Sequence, residues 1–223
     1  MRYVPLLAGS LLLLAGCVSP SQPGYTVDDQ PSADTSPAQA GACEYPSDGQ
    51  AAKPVNPPST TDVKTEGEAV ATLHLTAGDV EITLDRATAP CTVNSFESLA
   101  KQGYFDDTAC HRLTTDGIYV LQCGDPSATG SGGPGYSFAD ETNESMSYPP
   151  GTVAMANAGP DTNGSQFFLV WADSSQLPPD YTVFGMMDEA GLEVVAGIAA
   201  EGVALEDQTS PNAEAIIESV TLG

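Results

Sequence analysis

"MANAGPDTNGSQFFLV", from Met155 to Val170, encloses a polar loop between two apolar strand ends. Asn, Gly, Pro, Asp, Thr and Ser build the loop, supplying turns and amide groups without periodicity. In the strand that follows, Gln166 and Phe168 stand two apart and therefore share one face. Phe167 takes the other face and reads as core.

Outward from this stretch the chain reads as short strands. Val70–Leu75 and Val80–Leu84 alternate, with Ala77-Gly78-Asp79 as the expected hairpin turn. Pro90 opens a helix over "CTVNSFESLAKQGYF", whose Val93, Phe96, Leu99 and Ala100 share one side and which Gly103 stops. Further strands are expected at Cys110–Leu113, Ile118–Gln122, Thr152–Ala156, Gln166–Val170 and Val183–Met186. A second helix is expected near Ala190–Ala199 and a closing strand around Ile216–Leu222. Many short strands with two helices predict a mainly β domain, a closed or nearly closed barrel, over residues 67–223. "GSGGPGY" at Gly130–Tyr136 neither follows a nucleotide-binding strand nor opens a helix, so it reads as a flexible loop.

Charge excludes several functions. Six Lys and Arg stand against thirty Asp and Glu, a net charge of −24. Nothing here could neutralise nucleic-acid phosphates, and adhesion to anionic lipid by charge is equally disfavoured. No metal or cofactor motif appears: there is no HExxH, no Walker lysine motif and no complete calcium loop.

The N-terminus concerns destination. Arg2 precedes "LLAGSLLLLAGC", an apolar run too short to span a bilayer and ending in small residues. "LAGC" at Leu14–Cys17 resembles the lipobox of bacterial lipoproteins, which implies a signal peptide over residues 1–16 and a lipid on the Cys17 sulfur. An ordinary secretory signal with an incidental cysteine is the alternative. Residues 17–66 are rich in Pro, Ser, Thr and Asp and read as a disordered tether. Cys43 stands out in it, because a tether has no use for a thiol. With Cys91, Cys110 and Cys123 it makes four cysteines beyond Cys17, an even number that in an exported chain predicts two disulfides, with three connectivities open.

From Glu68 onward only Arg86, Lys101 and Arg112 are cationic. Arg112 lies in one expected strand, in "CHRLTTDGIYVLQCGDP" (Cys110–Pro126), and Tyr119, Val120 and Gln122 lie in the next. Together with Gln166 and Phe168 they offer an apolar floor, several amides and one guanidinium. That set suits an uncharged peptide and contains no nucleophile and no general acid. His111 neighbours Arg112 in sequence, and strand alternation predicts that it packs in the core on the opposite face.

These stretches, with "TLHLTAGDVEITLD" and "YTVFG" at Tyr181–Gly185, resemble the cyclophilin family of peptidyl-prolyl cis–trans isomerases, from roughly Ala69 to Gly223. The resemblance implies a closed eight-stranded antiparallel barrel capped by two helices, with a proline pocket on its outer face. It implies Arg112 as the catalytic arginine and Gln122 as its partner. It places Tyr119 at the pocket floor and Val120 where the family often has Met. Ala156 and Asn157 fall on the backbone-binding edge, and Gln166 supplies the neighbouring amide. Phe168 and Leu177 form the apolar wall, and Tyr181 stands where many members have His. The segment between Arg112 and Gln122 is two residues longer than usual. Proline-containing clients, no cofactor, a monomeric state and a lipid-anchored location outside the cytoplasmic membrane complete the expectation. A proline-peptide-binding chaperone or an envelope scaffold is the alternative function.

Overall fold

The computed structural model describes residues 42–223; Cys17, the leader and the first part of the expected tether lie outside the described residues. Alternation builds the first hairpin. In β1 (Glu68–Leu75) residues Ala69, Ala71, Leu73 and Leu75 point inward, and in β2 (Gly78–Asp85) Val80, Ile82 and Leu84 do. Leu75 pairs with Gly78, so the turn is Thr76-Ala77 alone, and Gly78 and Asp79 belong to the strand.

Helix α1 (Pro90–Lys101) starts with proline in its first turn, where a missing N–H costs nothing. No side chain of its own caps it. Instead the Glu141 carboxylate accepts from the backbone N–H groups of Cys91 (2.9 Å) and Thr92 (2.8 Å), satisfying donors the helix leaves open. Its buried side carries Val93, Phe96, Leu99 and Ala100, as the spacing predicts.

Seven further strands follow: β3 (Thr108–Ala109), β4 (Arg112–Leu113), β5 (Val120–Cys123), β6 (Thr152–Met155), β7 (Phe167–Val170), β8 (Val183–Met187) and β9 (Ile216–Leu222). Helix α2 (Glu189–Ala200) precedes β9 and is capped by Asp188, whose carboxylate accepts from Gly191 N–H at 2.7 Å. The strands form one curled antiparallel sheet, a half-barrel, in the order β3-β9-β1-β2-β8-β6-β7-β5-β4. Its concave side holds the core, where Phe96, Phe105, Phe167 and Phe184 contact one another at centroid distances of 5.2–6.5 Å. Nine strands appear where eight were expected, because Thr108–Ala109 forms a strand of its own and the expected strand Cys110–Leu113 shrinks to Arg112–Leu113. Cys110 and Leu113 are three apart, yet both enter the core, so alternation breaks between them.

That break also corrects the reading of His111. The residue is half-buried, and its ring packs beneath Gly130, where a Cβ would lie 3.7 Å from Nε2, with both ring nitrogens shielded from solvent.

The cysteines pair Cys43–Cys91 and Cys110–Cys123. The first shows why residues 42–66 are not wholly the tether that composition predicts. They lack helix and strand, but Cys43, Tyr45 and Val63 are buried in the core cluster. The Tyr45 hydroxyl donates to Cys91 O (2.7 Å), and Lys53 Nζ donates to the carbonyls of Gly103 (2.6 Å) and Asp106 (3.0 Å). Backbone bonds run from Asp48 N–H to Gly135 O and from Ala52 N–H to Gly133 O, both 2.9 Å. This strap passes so close that a Cβ on Gly135 would meet Ala51 N at 2.9 Å. A cross-link and specific polar contacts hold it, and neither leaves a periodic hydrophobic signature.

Candidate active site

Register sets the first feature of the site. Arg112 pairs with Gln122, Gln122 with Phe168, and Phe168 with Ala154. Directly opposed residues share a face, so these four form one row across β4, β5, β7 and β6 on the outer face of the sheet. Val120 and Val170 form the next row. Phe167, Leu121 and Leu169 point to the core instead, as the two-residue period requires.

The polar end of the row is a directed relay. Gln166 Nε2 donates to the carbonyls of Gly130 (3.0 Å) and Gly132 (2.9 Å). Its oxygen therefore faces the other way and accepts from Gln122 Nε2 at 2.8 Å. That in turn leaves Gln122 Oε1 to accept from Arg112 Nη1 at 3.1 Å. Two loop carbonyls thus fix the orientation of both amides and of the guanidinium.

The loop carrying those carbonyls is itself organised, where a flexible glycine-rich segment was expected. The buried Asp125 carboxylate accepts from the backbone N–H groups of Ser127 (2.8 Å), Thr129 (3.1 Å), Gly130 (2.8 Å) and Gly132 (2.9 Å). Burial opposes its charge, but the Ser127, Gly132 and Gly130 hydrogen bonds outweigh burial and hold its pKa below the usual carboxylate value. A Cβ on Gly132 would collide with this carboxylate, so glycine there serves close approach.

Electrostatics single out Arg112. In a chain with thirty acidic residues it makes no salt bridge among the described residues, whereas Arg86 and Lys101 both pair with Glu97. The guanidinium is half-buried and bonded to a neutral amide.

Beyond Phe168 lies an apolar cluster separate from the core: Val120, Tyr148, Ala154, Phe168 and Val170, with Leu177, Tyr181, Ala156 and Ile118 packed against it. The Tyr181 ring meets Phe168 edge-on at 5.6 Å. Tyr148 was not anticipated. It is fully buried, and its hydroxyl donates to Tyr181 O and accepts from Tyr181 N–H, both at 3.0 Å, fixing the Tyr181 backbone. It lies in "ESMSYPPG", a loop with no pattern to read. Asn157 Nδ2 donates to Asp180 O (2.9 Å), and Ala156 N–H to Gln166 O (3.0 Å), joining the loop edge to the relay.

Tyr119 is the exception among the expected residues. It stands one residue before β5, its carbonyl accepts from Trp171 N–H at 3.0 Å, and its ring packs edge-on against Trp171 at 5.1 Å, outside the cluster. Register survives the longer segment between Arg112 and Gln122, because β4 and β5 still pair these two residues.

Residues 70–222 match the family model described as cyclophilin type peptidyl-prolyl cis-trans isomerase/CLD. The chain belongs to the cyclophilin family. It is 49% identical over 196 residues to the probable peptidyl-prolyl cis-trans isomerase B of Mycobacterium leprae, covering 81% of this chain and 66% of that protein. The corresponding Mycobacterium tuberculosis protein is 48% identical, with 63% of its length covered. The chain thus spans just under two thirds of these relatives. Against the peptidyl-prolyl cis-trans isomerase B of Streptomyces anulatus it is 38% identical, with 68% and 92% of the two chains covered. Among solved structures, a Cryptosporidium parvum cyclophilin-type isomerase superposes with a TM-score of 0.64 at 29% identity, covering 70% of this chain and 98% of its own. A second structure of it, in the presence of the dipeptide Ala-Pro, gives 0.63.

Proposed function

We propose that this cyclophilin accelerates cis–trans rotation about X–Pro bonds in polypeptide clients. The uncatalysed barrier is about 20 kcal/mol, because rotation breaks amide resonance. In the twisted state the prolyl nitrogen loses conjugation and becomes a better hydrogen-bond acceptor. A donor aimed at that nitrogen binds the twisted form better than either planar form, which lowers the barrier by differential binding. Lowering it by about 7 kcal/mol gives roughly a 10⁵-fold acceleration.

The residues divide these tasks. Phe168, Val120, Leu177 and Tyr181 receive the proline ring, and Tyr148 holds Tyr181 beneath it. Arg112 faces the prolyl nitrogen with a rigid planar fork of N–H donors. Gln122 and Gln166 keep it aimed, and the Ala156–Asn157 edge offers backbone groups to an extended client. No proton is exchanged with the protein. The observation that carries this reading is the partner choice of Arg112: a neutral amide in register, with no carboxylate bridged among the described residues, in a chain of net charge −24. Its test is turnover of a proline tetrapeptide by wild type and Arg112→Ala.

Two finer readings belong to the same proposal. β3 and β4, the two ends of the sheet, are separated only by Cys110 and His111, and their N–H groups donate to Ala215 O (2.8 Å) and Gln122 O (3.0 Å). We read Thr108–Leu113 as one bent segment that closes an eight-stranded barrel. The clients are exported proteins met at the outer face of the cytoplasmic membrane, where a lipid on Cys17 holds the monomeric enzyme. "LAGC" supports that anchor. Labelling with a tagged fatty acid, present in wild type and absent in Cys17→Ser, tests it.

A further inference from the structure

A groove of about 550 Å³ begins where the Gln122–Gln166 relay ends. Ala156 and Asn157 line it on one side. The other side is formed by Asp48, Gly49 and Gln50 of the strap. The strap precedes the residues that match the family model, so family membership assigns it no role.

Two properties of this wall matter together. First, it is fixed in place. Asp48 N–H bonds to Gly135 O, Ala52 N–H bonds to Gly133 O, Ser47 bridges to Tyr136, and Cys43 is cross-linked to Cys91. The wall and the glycine loop that aims Gln166 are therefore tied to each other. Second, Asp48 is the one charged side chain among the described residues of the groove lining, and it is exposed to whatever enters. Lys53, the nearer of the strap's two lysines in sequence, has its ammonium group on the carbonyls of Gly103 and Asp106 and is not in the lining. The groove shares Gln122, Gln166, Ala156 and Asn157 with the site described above, so a polypeptide that extends from that site along the groove meets this wall.

We propose that the strap is a specificity wall: Asp48 selects clients carrying a lysine or arginine a few residues from the proline, on the side that runs through the groove. Gln50 and the backbone carbonyls around it accept further hydrogen bonds from the same ammonium or guanidinium group. The inference rests on the isomerase reading, and it assigns that site a class of preferred client.

The experiment uses peptides with one common X–Pro core and Lys, Ala or Glu placed two or three residues from the proline, on either side. Turnover and binding (by fluorescence anisotropy) are measured with wild type, Asp48→Asn and Asp48→Lys at low ionic strength. On one side of the proline, wild type should favour Lys over Glu by roughly five-fold, the scale of a single solvent-exposed charge pair. Asp48→Asn should level that ratio, and Asp48→Lys should invert it. The all-Ala peptide should be turned over equally by all three, because Asp48 touches none of the relay. High salt should erase the preference. Equal Lys-to-Glu ratios in wild type and Asp48→Lys, on both sides, overturn the wall. Failure of every peptide to turn over overturns the isomerase reading instead, and the anisotropy arm then still reads the wall.

Discussion

Arg112 donates to Gln122 across one antiparallel step, 3.1 Å from Nη1 to Oε1, and the direction of that bond is decided at the far end of a relay. Gln166 faces two carbonyls of the Gly130–Gly132 turn, so both amides can present only one way. The arginine's aim therefore depends on Asp125, which never touches it and instead gathers the N–H groups of that turn.

Asp125→Ala should leave several N–H groups without their acceptor and loosen the turn. Removing a buried carboxylate bonded to several donors costs about 2–4 kcal/mol, read as a shift of the denaturation midpoint. Turnover should fall by roughly ten-fold or more, mainly in kcat, while the affinity for a proline peptide changes little, because the apolar cluster is intact. Unchanged kcat in a folded variant would show that the turn does not aim the relay.

Activity should be flat between about pH 6 and 8. The proposed mechanism exchanges no proton with the protein, and burial, helped by the positive charge of Arg112 against the opposing pull of Asp125, lowers the pKa of His111 and so favours its neutral form. A bell-shaped profile centred there would return His111 to the mechanism.

Stability has its own pH dependence, with one sign from two groups. A histidine whose folded pKa is lowered binds more protons when unfolded, so its contribution is whole above about 6.5 and declines as pH falls below that. Asp125, also lowered, contributes fully above its ordinary value and loses that contribution as pH falls through its folded value. Denaturation midpoints should therefore drop first below about pH 6.5 and again below about pH 4. His111→Gln should remove the first step and leave the second.

The strap depends on its cross-link. Cys43 and Cys91 are 48 residues apart, and closing a loop of that length restricts the unfolded chain by about 4 kcal/mol in the entropic model. The Cys43→Ser/Cys91→Ser double variant should unfold at lower denaturant and become cleavable by protease between residues 44 and 66. Arg112 and Gln122 stand on other elements, so turnover of an uncharged proline peptide should persist.

Residues governed by a period were legible in the sequence. Gln166, Phe167 and Phe168 sort to their faces as the alternation requires, and α1 buries the stripe that its spacing shows. Features made by long-range contact were not. Tyr148 works through two hydrogen bonds to the backbone of Tyr181, far along the chain, and Asp125 through N–H groups of the irregular turn that follows it; neither leaves a periodic pattern. The strap looks disordered because a disulfide and a few backbone bonds replace a hydrophobic stripe. His111 was read as core because alternation was carried through Cys110–Leu113, where Cys110 and Leu113 both enter the core and the alternation breaks.

The central claim is that Arg112 binds the twisted imide. Turnover of a proline tetrapeptide by wild type, Arg112→Ala and Arg112→Lys, each with its denaturation curve, tests it most directly. The account predicts a loss of roughly a hundred-fold or more in kcat/KM for Arg112→Ala, the scale of removing one transition-state donor. It predicts only partial recovery in Arg112→Lys, which keeps the charge but not the fork, and unfolding midpoints close to wild type for both. A folded Arg112→Ala protein with near wild-type turnover would contradict it.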